Sequence, residues 1–268
     1  MITEILRPRT VREAVRAKTG AETAYLGGGT WLNSRRPDVP TVLISLENLG
    51  LGTIGTDGNE CTLGAMVTLQ QAVDAPSAPR ALREAASLTA SRTLRNMRTI
   101  GGEIGLWSVD SALVPALIAL DAEVLLAGRK KPVAIAAARQ VVSKAPGALV
   151  LGIILTGASR ASCVRAVSRT SHSAPSLVAA VGAGAVSPVL ADVRVVLSDC
   201  RGQVVRLTAV EEALNGSPLP PKEQIEGMIS RAFVPAADMH GSAEYKRYMA
   251  GVITADALYS LLEEKAAS

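Results

Sequence analysis

The chain has 268 residues, 48% of them hydrophobic and 19% charged, which marks a folded protein with room for two compact domains and not a disordered one. Aromatic residues make up only 3% and the formal net charge is +4, which argues against nucleic-acid binding by base stacking or through a long basic block. Three cysteines, far apart and without a CxxC pair, encode neither a zinc nor an iron–sulfur site and fit a reduced, intracellular setting.

The opening "MITEILRPRTVREAV" lacks the apolar centre of a secretory signal. Within it, "TVREAVRAK" (10–18) spaces Val11, Ala14 and Val15 as a helix, with Thr10 as the N-cap. "TAYL" reads as a short strand stopped by three glycines, and "TVLISL" (41–46) as a second strand. Strand, helix and strand in alternation predict an α/β layer. "ECTLGAMVTLQQAV" then gives a strand and a capped helix, and "APRALREAASLTAS" (78–91) a further helix. "RNMRTIGGEIG" (95–105) breaks that helix with a second glycine pair. A helical "SALVPALIALDA", the strand "AEVLLAG" and a long apolar strand over 147–155 follow.

"GALVLGIILTGA" is too short to span a bilayer, which takes roughly 20 apolar residues. The longer "SLVAAVGAGAVSPVLADV" is interrupted by Pro188 and predicts a buried strand pair. A cytosolic protein without a membrane contact is therefore expected. After the alternating "CVRAVSRT" the character changes, and from about residue 176 strands come together in "DVRVVLSDCRGQVV". "LTAVEEALNG" then reads as a helix with an Asn-Gly stop. "PPKEQIEGMISRAF" and "SAEYKRYMAGVITADALYSLLEEK" complete a set of helices. The C-terminal part is predicted as a three-stranded sheet with helices.

Two glycine elements stand out. "LGGGTWL" alone is compatible with a sharp structural turn, although a phosphate cradle needs the same bare backbone. No GK[ST] follows it, which excludes a P-loop, and neither element shows the GxGxxG of a Rossmann turn. "TIGGEI" (99–104) again combines a hydroxyl with two glycines, some seventy residues downstream. A pair of such loops can grip one pyrophosphate from opposite sides, each donating main-chain N–H groups and a hydroxyl.

These two loops, with "LGAMVTL", "ALIALDAEV", "VSRTSHSAPSLVAAV", "AVEEALNGSPL" and "DMHGSAEYKRYMAGVITADAL", resemble the FAD-binding (medium) subunit of molybdenum hydroxylases, the xanthine dehydrogenase and carbon monoxide dehydrogenase family. The resemblance covers nearly the whole chain, in order. It implies an α+β architecture: an N-terminal FAD-binding α/β domain of two small subdomains over 1–162, then a C-terminal domain over 163–268 with a three-stranded antiparallel sheet and a helix bundle. By the same resemblance Gly27, Gly28, Gly29, Thr30, Trp31 and Leu32 would wrap the FAD pyrophosphate. Thr99, Ile100, Gly101 and Gly102 would meet the cofactor from the other side, and Val150 and Arg165 from a strand and its neighbouring sheet edge. Ala112 stands where the family has an Asp that bonds FAD hydroxyls, and Asp110 is the nearest substitute. "GGEI" replaces the commoner "GGNI", and Trp31 a position that is often acidic.

The resemblance also implies partners: a molybdopterin-binding large subunit and a 2Fe-2S small subunit. Electrons would reach FAD from the iron–sulfur clusters and leave to NAD or another acceptor. The alternative is an assembly subunit of the same fold that has lost tight FAD binding, which Ala112 favours. Nothing in the residues suggests other catalysis. His172 lies between serines without a G-x-S-x-G elbow, and His240 reads as a helix entry. Tyr25, Trp31 and Trp107 read as core packing or, for the tryptophans, as a border to a flat ring. Lys246 and Arg247 read as a solvated face or a subunit interface.

Overall fold

The computed structural model describes residues 2–34, 41–145, 147–170 and 173–267, so His172 lies outside the described residues. Its first layer is a parallel sheet of β1 (Ile2–Leu6), β2 (Thr23–Leu26) and β3 (Thr41–Ser45), in the order β1-β3-β2. Helix α1 (Val11–Ala17) starts where Thr10 accepts a hydrogen bond from the Glu13 N–H at 3.2 Å, and it buries Ala14 against Ile44, Leu46 and Leu149. The turn after β2 runs through the three glycines into α2 (Thr30–Ser34).

The second layer is an antiparallel sheet of β4 (Ile54–Asp57), β5 (Glu60–Gly64), β6 (Glu123–Leu126), β7 (Val133–Ala134) and β8 (Val150–Thr156), in the order β4-β5-β8-β6-β7. Helices α3 (Leu69–Asp74), α4 (Arg80–Thr89), α5 (Arg92–Arg95), α6 (Ile100–Leu106), α7 (Leu113–Ala119) and α8 (Ile135–Lys144) surround it. Thr68 and Gln71 close α3 with a reciprocal capping box, the Thr68 side chain accepting from Gln71 N–H and the Gln71 side chain from Thr68 N–H. These two layers are the pair of small subdomains.

The third layer is an antiparallel sheet of β9 (Ala161–Val167), β10 (Leu177–Ala183), β11 (Arg194–Asp199) and β12 (Val204–Arg206), followed by α9 (Thr208–Leu214), α10 (Lys222–Ala232) and α11 (Ala243–Ala267). It has four strands where three were predicted, because β9, the alternating "CVRAVSRT" segment, pairs along its length with β10. Every residue of β10 is buried. Its alternate side chains belong to different cores: Val178 and Ala180 pack with the α4 and α7 residues Ala85 and Leu117, whereas Ala179 and Val181 pack with Leu258 and Leu261 of α11. The apolar run is thus a strand buried on both faces, which explains why it shows no polar alternation.

Glu84 on α4 ties these layers together. It takes Arg80 Nε at 2.9 Å, the Val164 N–H at 2.7 Å and Arg165 Nη1 at 3.4 Å, while Arg165 Nη2 donates to Ser260 Oγ on α11 at 2.7 Å. Among the described residues no helix is long and apolar enough to cross a membrane.

Lys246 departs from its predicted solvated face. Only 1% of its side chain is exposed, and its ammonium is paired with Asp238 and donates to the Ala236 carbonyl at 3.2 Å. The physical reason is local: the turn before α11 folds Asp238 back over the helix, so the cation finds its counter-charge inside the protein. The Lys246 hydrogen bond, then the His240 N–H at 2.8 Å, hold the Asp238 carboxyl below the usual carboxylate range. That stabilisation is complete above the ordinary Asp value of about 3.9 and is lost as pH falls through the lower, folded value. Asp238→Asn is expected to lower the melting temperature by several degrees at neutral pH, with the deficit shrinking toward strong acid. Thermal melts from pH 7 down to pH 2 check this, and a deficit that stayed constant with pH would refute it.

Candidate functional site

The two glycine loops lie against one another. A β-carbon built on Gly28 would come 1.5 Å from the Met97 carbonyl oxygen, and one on Gly27 would come 3.1 Å from Thr99 Oγ1. Only a residue without a side chain lets the backbone of the first loop approach the second so closely. Gly29 has φ +72°, the left-handed turn that swings the chain into α2.

Beside this seam opens a cleft of about 310 Å³, continuous with solvent. One wall is the first loop, from Gly27 through Thr30, with Trp31 and Leu32. The opposite wall is Thr99, Gly101 and Gly102, and the floor is Leu149 and Val150 at the start of β8. The N–H groups of Gly27, Gly28, Gly29 and Thr30 form no hydrogen bond among the described residues. They are a row of unused donors, of the kind an acceptor-rich ligand can use.

The second loop is different, and here the expectation that both loops bare their amides is corrected. Ile100 N–H donates to the Val67 carbonyl at 2.9 Å and Gly101 N–H to the Ala65 carbonyl at 2.8 Å. Gly102 N–H donates to Thr99 Oγ1 at 3.1 Å, the N-cap of α6. These donors build the first turn of a helix and fasten it to the segment after β5, so they are already spent. Gly101 is small because a β-carbon there would sit 2.7 Å from that of Ala65. The loop contributes a wall and the side chains around it, not a second row of amides.

Other predicted residues fall further away. The Ile100 side chain is fully buried in the main core and does not line the cleft. Asp110 neither lines the cleft nor caps α7; it pairs with Ser108 and lies 3.5 Å from Arg98 Nη2, behind the cleft wall. Arg165 belongs to the Glu84 hub and does not line the cleft. Ala112 is fully buried, its N–H donating to Thr89 Oγ1 at 3.2 Å. Trp31 is 43% exposed at the cleft, whereas Trp107 ends α6 in a left-handed conformation and stacks under Arg139, 5.9 Å from its ring centre.

Charged and aromatic side chains also line the cleft: Tyr25, read from the sequence as core packing, and Lys18, Arg98 and Glu103, which the sequence reading did not assign to a site. Lys18 and Tyr25 stand beside the first loop, the Tyr25 hydroxyl donating to the Gly147 carbonyl at 3.0 Å. Arg98 and Glu103 flank the second. The signal for Glu103 was visible as the acidic residue in "GGEI". Burial raises the Glu103 carboxyl above the ordinary range, with Asp110 adding to the rise and the Ser111 hydroxyl and Arg98 opposing it. No thiol serves the site: burial, with Glu84, pushes Cys163 up to about 12, and burial also raises Cys61. Among the described residues no cluster of His, Cys, Asp or Glu could hold a metal ion.

Residues 1–155 match the family described as the FAD binding domain in molybdopterin dehydrogenase, and residues 162–261 match the CO dehydrogenase flavoprotein C-terminal domain. The Escherichia coli K12 protein YgfM is 34% identical over 264 residues, covering 96% of this chain and 95% of its own. The nicotinate dehydrogenase FAD-subunit of Eubacterium barkeri is 35% identical over 133 residues, or 46% of this chain and 45% of its own. In three dimensions the chain is similar to carbon monoxide dehydrogenase from Hydrogenophaga pseudoflava, solved in a form lacking the Mo-pyranopterin moiety. The TM-score is 0.85 at 24% identity, over 98% of each chain.

The seam between the loops makes a sharp prediction. Gly28→Ala must force the Met97 backbone away and is expected to cost about 3 kcal/mol or more, the upper end of overpacking. Gly105→Ala lies in α6 at the same cleft, meets nothing within 4 Å, and is expected to be neutral or to stabilise by up to about 1 kcal/mol. Urea unfolding of both variants separates the two, and equal effects would refute the close approach.

Proposed function

The chain belongs to the family of FAD-binding domains of molybdopterin dehydrogenases, and from that premise we propose that it is the electron-transfer subunit of a molybdenum-containing hydroxylase complex. The observation that carries the reading is the single cleft bordered by both glycine loops, with the unused N–H groups of Gly27, Gly28, Gly29 and Thr30 along one wall.

The residues present fit a dinucleotide cofactor. The glycines let the first loop lie against the second, and its unused N–H groups suit the oxygens of a diphosphate. In this reading Gly27 through Thr30 hold the diphosphate and Trp31 and Leu32 border it. Thr99, Gly101 and Gly102 close the opposite side, and Val150 forms the floor beneath. Ile100 supports that wall from the core, and Asp110 and Arg165 act at one remove, through Arg98 and the Glu84 hub. Residues 1–162 form the cofactor-binding domain and residues 163–268 a C-terminal domain that braces it.

Bound FAD would supply the redox chemistry, linking 2Fe-2S clusters of a partner to NAD or another acceptor. The chain's own residues bind and orient the cofactor and shield it from water. They need no nucleophile or general base. The expected partners are a molybdopterin-binding large subunit and a 2Fe-2S small subunit. Trp31, Met97 and Leu106, exposed in and beside the cleft, offer the apolar border such a partner would cover.

A second reading is an assembly subunit of the same fold without tight FAD binding. It is favoured by Ala112, which is buried and offers the cleft no polar group where the resembling family has an Asp. One experiment decides between them. Purified protein is expected to be yellow with near-stoichiometric flavin, and to co-purify with a molybdopterin and a 2Fe-2S subunit when these are co-expressed. Colourless protein that rejects added FAD would favour the assembly reading.

A further inference from the structure

Away from the glycine loops, a second cavity of about 400 Å³ opens to solvent where α7 and α8 meet β12. It shares no lining residue with the cleft. Ile118, Ala122, Ile135 and Val204 give it an apolar wall, and Trp107 adds a large flat ring. Its size falls in the range of small-molecule sites, which combine such walls with a few polar groups.

The charges around this cavity do not balance. Arg206 donates through Nε to both Glu211 carboxylate oxygens at 2.9 Å, and Asp121 Oδ2 accepts from Arg194 Nη2 at 2.9 Å. These two lining charges are therefore neutralised by their own partners. Arg139 is not: among the described residues it forms neither an ion pair nor a hydrogen bond, and its contact is with the Trp107 ring, 5.9 Å from the centroid. One unpaired guanidinium is left facing a cavity with an apolar wall. Trp107 itself sits at φ +50°, in the place after a helix where glycine is the residue that fits without strain. Its ring packs against the main core and under Arg139. A strained residue that holds a flat ring at a cavity points to a use for the ring.

We propose that this cavity binds a small aromatic monocarboxylate, its carboxylate paired with the Arg139 guanidinium and its ring lodged between Trp107 and the apolar wall. A single unpaired cation matches a single negative charge, whereas a dianion would leave one charge uncompensated. A guanidinium that stacks on an aromatic face keeps its in-plane N–H donors for a carboxylate, which can take two of them at once. The indole and the aliphatic wall favour a flat apolar body over a sugar or a polyol. The inference is independent of what fills the glycine-loop cleft.

The test is a titration of benzoate into the full chain, followed by the indole N–H signals of its two tryptophans in nitrogen-15-labelled protein. Trp107→Phe identifies which signal belongs to which ring. The Trp107 signal is expected to shift saturably at millimolar benzoate while the Trp31 signal, at the other cleft, stays in place. Arg139→Gln is expected to weaken benzoate about 10- to 100-fold, the range for a charged hydrogen bond, and Arg139→Lys, which keeps the charge without the fork, to weaken it less. Benzamide, of the same shape but neutral, is expected to bind at least about 10-fold more weakly than benzoate to the unaltered chain. Lys144→Gln makes the same charge change on α8 outside the cavity lining and is expected to leave benzoate binding within about twofold. Melting temperatures show that each variant folds. No saturable shift of the Trp107 signal, equal binding of benzamide, or equal losses in Lys144→Gln and Arg139→Gln would each overturn the assignment.

Discussion

The contact between Gly28 and the Met97 carbonyl is the constraint from which the site is built. It joins two loops that belong to different sheets. The first is the turn after β2 of the parallel layer. The second is anchored to the antiparallel layer, where Leu69 N–H donates to the Arg98 carbonyl at 2.9 Å and Gly101 N–H to the Ala65 carbonyl at 2.8 Å. Each loop is therefore rigidly held from behind by its own sheet, and the cleft is whatever space the two anchors leave. The spacing of its two walls is set by backbone bonds, which is how a cofactor site gains preorganisation.

The division of labour between the loops also explains their chemistry. The first loop leaves its N–H groups unused and carries no charge over Gly27 to Thr30. The second has spent its N–H groups on helix α6 and instead sets charged side chains on either side of itself, at Arg98 and Glu103. One wall thus offers fixed dipoles and the other offers ions. The protein's task toward a flavin is to hold and tune it, and neither wall contains a group poised for bond-making of its own.

Local signals made much of this legible in the sequence. Thr10 and the Thr68–Gln71 box announced their helices because side-chain caps depend on residues only three apart. The glycine loops were visible because close backbone approach admits no other residue. What stayed hidden depends on long-range partners. The second loop's N–H groups look free in a linear reading, since the carbonyls of Val67 and Ala65 that accept them lie more than thirty residues earlier. Lys246 reads as solvated until Asp238 folds back over it. The fourth strand of the C-terminal sheet escaped the count because "CVRAVSRT" borders the change of character, and only its pairing with β10 shows which side it joins. Helix α8 was not assigned from "IAAARQVVSK", whose small and polar residues bury only Ile135 and Ala138.

Strand β10 serves two hydrophobic interiors at once, Val178 and Ala180 facing one and Ala179 and Val181 the other. A party wall of this kind makes the two halves poor candidates for independent life or exchange. A chain cut after β8 would uncover the α4 and α7 face that the wall covers, and a transplanted C-terminal half would present a greasy sheet to water. Modular shuffling in such an architecture must carry the wall along with whichever room is moved, so drift in one half is policed by packing in the other.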